Sequence, residues 1–162
     1  MPKVLILVAD GEGPSARLSE IIKEAAAAVR FTEVDVRGVA PHQTTTSASH
    51  KALESPDAAT AYDGVVLVSS GRGLPPGLEL LLDAWDQASP NAFVDTIFAA
   101  IGVEGGVLLE RLARLGGIIV TEARGELDLE RRAKLLGRRV ATVVEWVRHA
   151  LNHEHAHHHH AH

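Results

Sequence analysis

Residues 4–9, Val-Leu-Ile-Leu-Val-Ala, form an unbroken apolar run of strand length. A run without alternation belongs to a strand covered on both faces, as in a parallel sheet. The stretch 10–15, Asp-Gly-Glu-Gly-Pro-Ser, breaks it, and from Leu18 the period changes from strand to helix. Leu18, Ile21, Ile22, Ala25 and Val29 share one helical face, with Arg17, Glu20, Lys23 and Glu24 largely on the other. Either Ser15 caps this helix, or Gly13 does with Pro14 at the first helical position. A glycine-bearing turn between a buried strand and a helix N-terminus offers backbone N–H groups at the positive end of a dipole. Such a turn commonly holds an anion, most often a phosphate.

The same alternation continues along the chain. Residues 31–37 alternate apolar and polar, which predicts a strand with one more exposed face, as at an edge. Residues 38–62 read as a long loop with about one helical turn near 51–61, and the hydroxyl run 44–49 reads as a solvated loop or a lid. Residues 65–68 are a third strand, closing on Ser69-Ser70-Gly71-Arg72-Gly73 before a helix with Leu78, Leu81, Leu82 and Trp85 inside. A fourth strand at 96–101 ends in Gly102-Val103-Glu104-Gly105-Gly106 and a third helix, and a short fifth strand covers 118–120. The last helix is expected from about 128 to 151. Five alternating strands with right-handed crossovers predict a three-layer α/β/α sandwich whose parallel sheet has the flavodoxin-like order 2-1-3-4-5. Ligands of such sheets sit at the carboxyl edge where the order reverses. There the loops after strands one, three and four converge, and all three are rich in glycine or serine.

At 162 residues one domain is expected, covering 1–151, followed by a histidine-rich tail at 152–162. The absence of cysteine rules out disulfides, cysteine-ligated zinc, iron–sulfur clusters and thiol catalysis. A net charge of −5 with no basic stripe argues against nucleic acid as a partner. No apolar run approaches membrane-spanning length and no signal peptide precedes the first strand, so no membrane association and a cytoplasmic location are expected.

Several segments together resemble the flavodoxin-like NADPH-dependent FMN reductases and the related NAD(P)H:quinone oxidoreductases. Residues 76–85, Pro-Gly-Leu-Glu-Leu-Leu-Leu-Asp-Ala-Trp, are similar to that family's proline-glycine start to a helix ending in aspartate and tryptophan. Residues 98–120 resemble its strand, glycine-rich turn and helix, and residues 137–141, Gly-Arg-Arg-Val-Ala, resemble its last helix. The resemblance implies FMN, with phosphate in the loop of Gly11, Glu12, Gly13, Pro14 and Ser15. The flavin ring would lie between Ser69, Ser70, Gly71, Arg72 and Gly73 on one side and Gly102, Val103, Glu104, Gly105 and Gly106 on the other. It further implies NAD(P)H as co-substrate, a quinone, azo compound or free flavin as electron acceptor, and a homodimer or homotetramer, with Trp85 and the leucine-rich helix before it as an apolar contact. Because the chemistry is the cofactor's, no general acid, base or nucleophile is assigned.

The first loop departs from the family pattern. Asp10 and Glu12 stand where family loops carry hydroxyl, amide or basic residues. One unit-charge pair about 4 Å apart costs roughly 4 kcal/mol at an effective dielectric near 20, before screening. A helix N-terminus offsets at most about 2 kcal/mol of that. A flavin-free binding or assembly module therefore stands as the alternative. Residues 11–16 also match the dinucleotide fingerprint G-x-G-x-x-A, with Asp35 at about the right distance to meet a ribose. A phosphoacceptor receiver of the same fold is excluded, because Ser69-Ser70 and Thr121-Glu122 occupy the places of its aspartate and lysine. The tail carries His153, His155, His157, His158, His159 and His160, which could collect a divalent transition metal. As a tract it also resembles a purification tag, with interruptions at Glu154, Ala156 and Ala161; a native tail could instead continue the last helix, where an i, i+4 chelating pair such as His153 and His157 becomes possible.

Overall fold

The computed structural model describes residues 1–10, 13–39, 50–69, 74–102, 106–122 and 128–158. Strand β1 (Lys3–Val8) leads to helix α1 (Pro14–Ala27), β2 (Glu33–Gly38), a short 3-10 helix (Pro56–Ala61) and β3 (Gly64–Val68). Helix α2 (Pro76–Asp86), β4 (Ile97–Ile101), α3 (Gly106–Arg114), β5 (Ile118–Ile119) and α4 (Leu129–His158) complete the chain. All pairings are parallel and the order is β2-β1-β3-β4-β5, as the alternation of the sequence predicts.

The apolar run of β1 has no polar face because each side of the sheet is covered. Side chains alternate across a strand. Val4, Ile6 and Val8 therefore pack with Leu18 and Ile22 of α1 and with Ala133, Leu136, Val140 and Val144 of α4. Leu5 and Leu7 face the other way, toward Leu78, Leu82 and Trp85 of α2 and Leu108 and Leu112 of α3. Strand β2, paired on one side by β1, is the partly exposed edge that its alternation predicts.

Strand β5 is short, as expected, and its ladder to β4 reaches Val120, whose N–H donates to the Phe98 carbonyl at 2.8 Å. Two expectations need correction. Trp85 is no surface contact: it is 2 % exposed, its ring lies against Phe93 and Phe98, and its Nε1–H donates to the Pro56 carbonyl at 2.9 Å. Trp146 is the exposed tryptophan, at 65 %. Finally, α4 does not stop near 151 but continues as helix to His158.

Candidate functional site at the carboxyl edge of the sheet

The ladder carries on past the strand ends and sets the three loops side by side. Ala9 N–H donates to the Val68 carbonyl at 2.9 Å, and Ser69 N–H to the Ile101 carbonyl at 3.1 Å. Ala9, Ser69 and Gly102 therefore leave the sheet next to one another, where β1 and β3 mark the reversal of strand order. This is the ligand edge of an open α/β sheet. On the outer side Val39 N–H bonds the Val8 carbonyl at 3.2 Å.

Of the two candidate caps, Gly13 is the one used, with Pro14 opening α1. Gly13 has φ 62° and ψ −130°, a backbone conformation that glycine adopts without a Cβ penalty. An added Cβ would meet nothing within 4 Å, so backbone torsion and not crowding requires glycine here. Gly102 is likewise left-handed, at φ 78°. Pro14 has no N–H, and the next amides of the first turn lack intrahelical acceptors by the geometry of any helix start.

Ser15 is fully buried and its Oγ donates to Asp10 Oδ1 at 2.6 Å. The hydroxyl expected to face a phosphate is thus already committed to a carboxylate at the start of α1. Sequence reading placed Asp10 in the loop without foreseeing this bond. The signal was the serine five positions on, which one turn of chain brings back to it. A second buried hydroxyl, Ser69 Oγ, has no hydrogen-bond partner among the described residues. Thr32 Oγ1, the other such atom, precedes β2 at the opposite edge of the sheet.

Charged groups near this edge are largely paired with each other. Arg17 Nε donates to Glu130 Oε1 at 2.6 Å, joining the first turns of α1 and α4 across solvent. That hydrogen bond, followed by the negative charge of Glu130, raises the Arg17 pKa further above its ordinary value. Arg132 holds both oxygens of Glu122 at 3.1 and 2.7 Å, tying the start of α4 to the segment after β5. Asp128 Oδ1 accepts the Arg131 N–H at 2.8 Å and caps α4.

Among the expected site residues, Gly13, Pro14, Ser15, Ser69, Gly102 and the backbone of Gly106 are brought to this edge. Gly11, Glu12, Ser70, Gly71, Arg72, Gly73, Val103, Glu104 and Gly105 lie outside the described residues, as do His159 and His160 and the hydroxyl run 44–49. Asp35 does not sit where a ribose ligand must. It lies mid-strand in β2, in register with Leu5, and accepts the Tyr62 hydroxyl at 2.7 Å. The expected metal ligands His153 and His155 are exposed on the last turns of α4, remote from this edge. No helix among the described residues is long and apolar enough to cross a membrane.

No family model matches the sequence, and no curated protein matches it either. Solved structures do match in shape. Oxidised flavodoxin 2 from Bacillus cereus is 17 % identical with a TM-score of 0.59, covering 86 % of this chain and 98 % of its own. An apo NADH:FMN oxidoreductase is 11 % identical with a TM-score of 0.59, covering 88 % and 90 %. An azoreductase from Bacillus anthracis str. Sterne is 13 % identical with a TM-score of 0.56, covering 89 % and 99 %. With the strand order β2-β1-β3-β4-β5, these likenesses establish that the chain has a flavodoxin-like fold.

Proposed function

We propose that the chain is an FMN-dependent NAD(P)H oxidoreductase acting on a quinone, azo compound or free flavin, and that it works as a homodimer or homotetramer. The observation that carries this reading is the Ser69 hydroxyl, fully buried and without a partner among the described residues at the reversal of strand order. A buried polar atom without a partner calls for one, and a ligand at this edge supplies it. Solved proteins of the same fold include one described as an NADH:FMN oxidoreductase and one as an azoreductase.

The described residues fit FMN through backbone and hydroxyl groups. The N-terminus of α1 would hold the phosphate, with the amides of Ser15 and Ala16 as donors. Ser69 would donate its hydroxyl at the end of β3, and the left-handed Gly102 would let backbone approach the ring closely. FMN, when bound, supplies the hydride-accepting chemistry, and the chain's part is binding, orientation and exclusion of water. Ser69 is enclosed, so whatever covers it must give way for a ligand to reach it. Asp10 opposes the phosphate twice, by its charge and by holding the Ser15 hydroxyl at 2.6 Å.

Asp10→Ser combined with Glu12→Thr removes up to two charges and releases Ser15. After solvent screening the gain in FMN affinity is on the order of 1–3 kcal/mol, roughly ten- to a hundredfold. Quenching of flavin fluorescence in titrations of wild type and double variant measures it. Ser69→Ala in the same assay weakens binding while stabilising the flavin-free protein by about 1 kcal/mol, because an orphaned hydroxyl is removed. Tighter binding by wild type than by the double variant would show that the carboxylates face away from the phosphate.

The Asp10–Ser15 bond favours a second reading, a flavin-free binding or assembly module whose anion site is filled by its own carboxylate. Failure of both proteins to bind at millimolar FMN selects it.

A further inference from the structure

Helix α4 is much longer than the sheet it covers. Its 30 residues rise about 45 Å at 1.5 Å each, whereas strands of five or six residues span roughly 17–20 Å. It starts at the carboxyl edge, beside the Arg132–Glu122 pair, and by Arg148 has reached Asp63, the residue before β3. The turns beyond Arg148 run past the amino edge, and His149, Ala150 and residues 152–156 are exposed. On this projecting end His149 Nε2 and His153 Nε2 stand 3.1 Å apart, with ring centroids 4.4 Å apart and ring planes at 78°.

We propose that His149 and His153 form a chelating site for a divalent transition-metal ion of the zinc and nickel class. Residues four apart lie one above the other on a helix, so both imidazoles are held over the same point by a backbone that is already ordered. Two nitrogens bound to zinc at about 2.0–2.1 Å lie roughly 3.3 Å apart in a tetrahedron, and in a square-planar site roughly 2.9 Å. The separation of 3.1 Å falls between these values, so the two nitrogens are already at chelating distance and rotation of the rings aims both at one ion. Without metal the same contact is an imidazole–imidazole hydrogen bond, with one Nε2 carrying the shared proton. When a metal binds, that proton moves to Nδ1 of its own ring, and both neutral imidazoles then offer an Nε2 lone pair to the ion. Among the described residues no third histidine, cysteine, aspartate or glutamate completes a cluster, so water fills the remaining positions. The site lies at the opposite edge of the sheet from the candidate flavin site and stands independently of it. His149 precedes the histidine tract by four positions, and the helix is what joins it to that tract.

The test must separate this pair from the other imidazoles of the tail. In the full chain, His42, His50, His155, His157, His158, His159, His160 and His162 are replaced by alanine, leaving His149 and His153. Calorimetric titration with ZnCl2 is expected to give one zinc per chain. Adding His149→Ala is expected to weaken binding roughly tenfold or more, since a chelate becomes a single ligand. As a second readout, zinc slows amide hydrogen exchange in the last turns of α4 when the pair is present and leaves it unchanged in the His149→Ala protein. Equal affinity with and without His149, or no binding at millimolar zinc, would overturn the proposal and leave the contact as a hydrogen bond.

Discussion

Tyr62 is the single tyrosine and shows how one residue reports its surroundings. Partial burial, then its 2.7 Å hydrogen bond to Asp35, then the Asp35 charge raise its pKa from 10.0 to about 12. Each cause disfavours the phenolate. A group whose folded pKa is raised stabilises the fold fully below its unfolded pKa, and that contribution is lost as pH rises through the folded value. The window here is pH 10.0 to about 12. Ultraviolet absorbance of tyrosinate is therefore expected to titrate near pH 12 in native protein and near pH 10, roughly, in urea. Tyr62→Phe should flatten the loss of stability across that window. A native midpoint near the unperturbed value would overturn this account. The partner of Tyr62 was invisible in the chain order, because Asp35 and Tyr62 are 27 positions apart and meet only through the β1–β2 and β1–β3 pairings. The Asp10–Ser15 bond was nearer to legible, with both residues in one loop, yet its direction depended on Gly13 taking φ 62°.

Between elements, the contact of α1 with α4 turns on Gly137. Glycine inside a helix costs about 1 kcal/mol relative to alanine, so by propensity alone the position is a defect. A Cβ there would stand 2.6 Å from the Ile22 carbonyl oxygen, 3.1 Å from its Cα and 3.2 Å from Ala25 Cβ. The nearest atoms are backbone, which yields only by moving one helix against the other. Gly137→Ala is therefore expected to destabilise the protein by about 1–3 kcal/mol despite its better helix propensity. Urea unfolding followed by circular dichroism measures this, and a stabilised variant would show that the helices are not in close contact. The helices themselves were readable from apolar spacing, Leu18 and Ile22 on one and Ala133, Leu136, Val140 and Val144 on the other. Their distance of approach was not, since periodicity identifies the inward face but not the neighbour's backbone.

For the whole molecule, the proposed homo-oligomer has to use a surface other than Trp85, which is buried in the core. The outer face of α4 offers one. A groove of about 490 Å³ is lined by Leu135, Leu136, Arg138, Arg139, Thr142, Val143 and Trp146, with Leu135 and Trp146 41 % and 65 % exposed. Light scattering at micromolar concentration is expected to give at least twice the chain mass of 17.3 kDa. Trp146→Glu, which places a charge on that face, is expected to return the protein to monomer. A wild-type monomer would end the oligomer reading, and an oligomer unaffected by Trp146→Glu would move the interface elsewhere.

The sequence by itself determined the order, type and approximate bounds of the elements. The unbroken apolar run 4–9 and the helical repeat that follows it admit few other solutions than a doubly covered parallel sheet. It also determined which loops share an edge, because right-handed crossovers leave little freedom in the strand order. Tertiary structure decided what depends on atoms distant in the chain. It buried Trp85 and exposed Trp146, left the Ser69 hydroxyl without a partner among the described residues, and turned Asp35 from a ribose candidate into the acceptor for Tyr62. Periodicity is a property of neighbours along the chain and survives in the sequence. Burial and hydrogen bonding are settled between neighbours in space, and those exist only once the layers have packed.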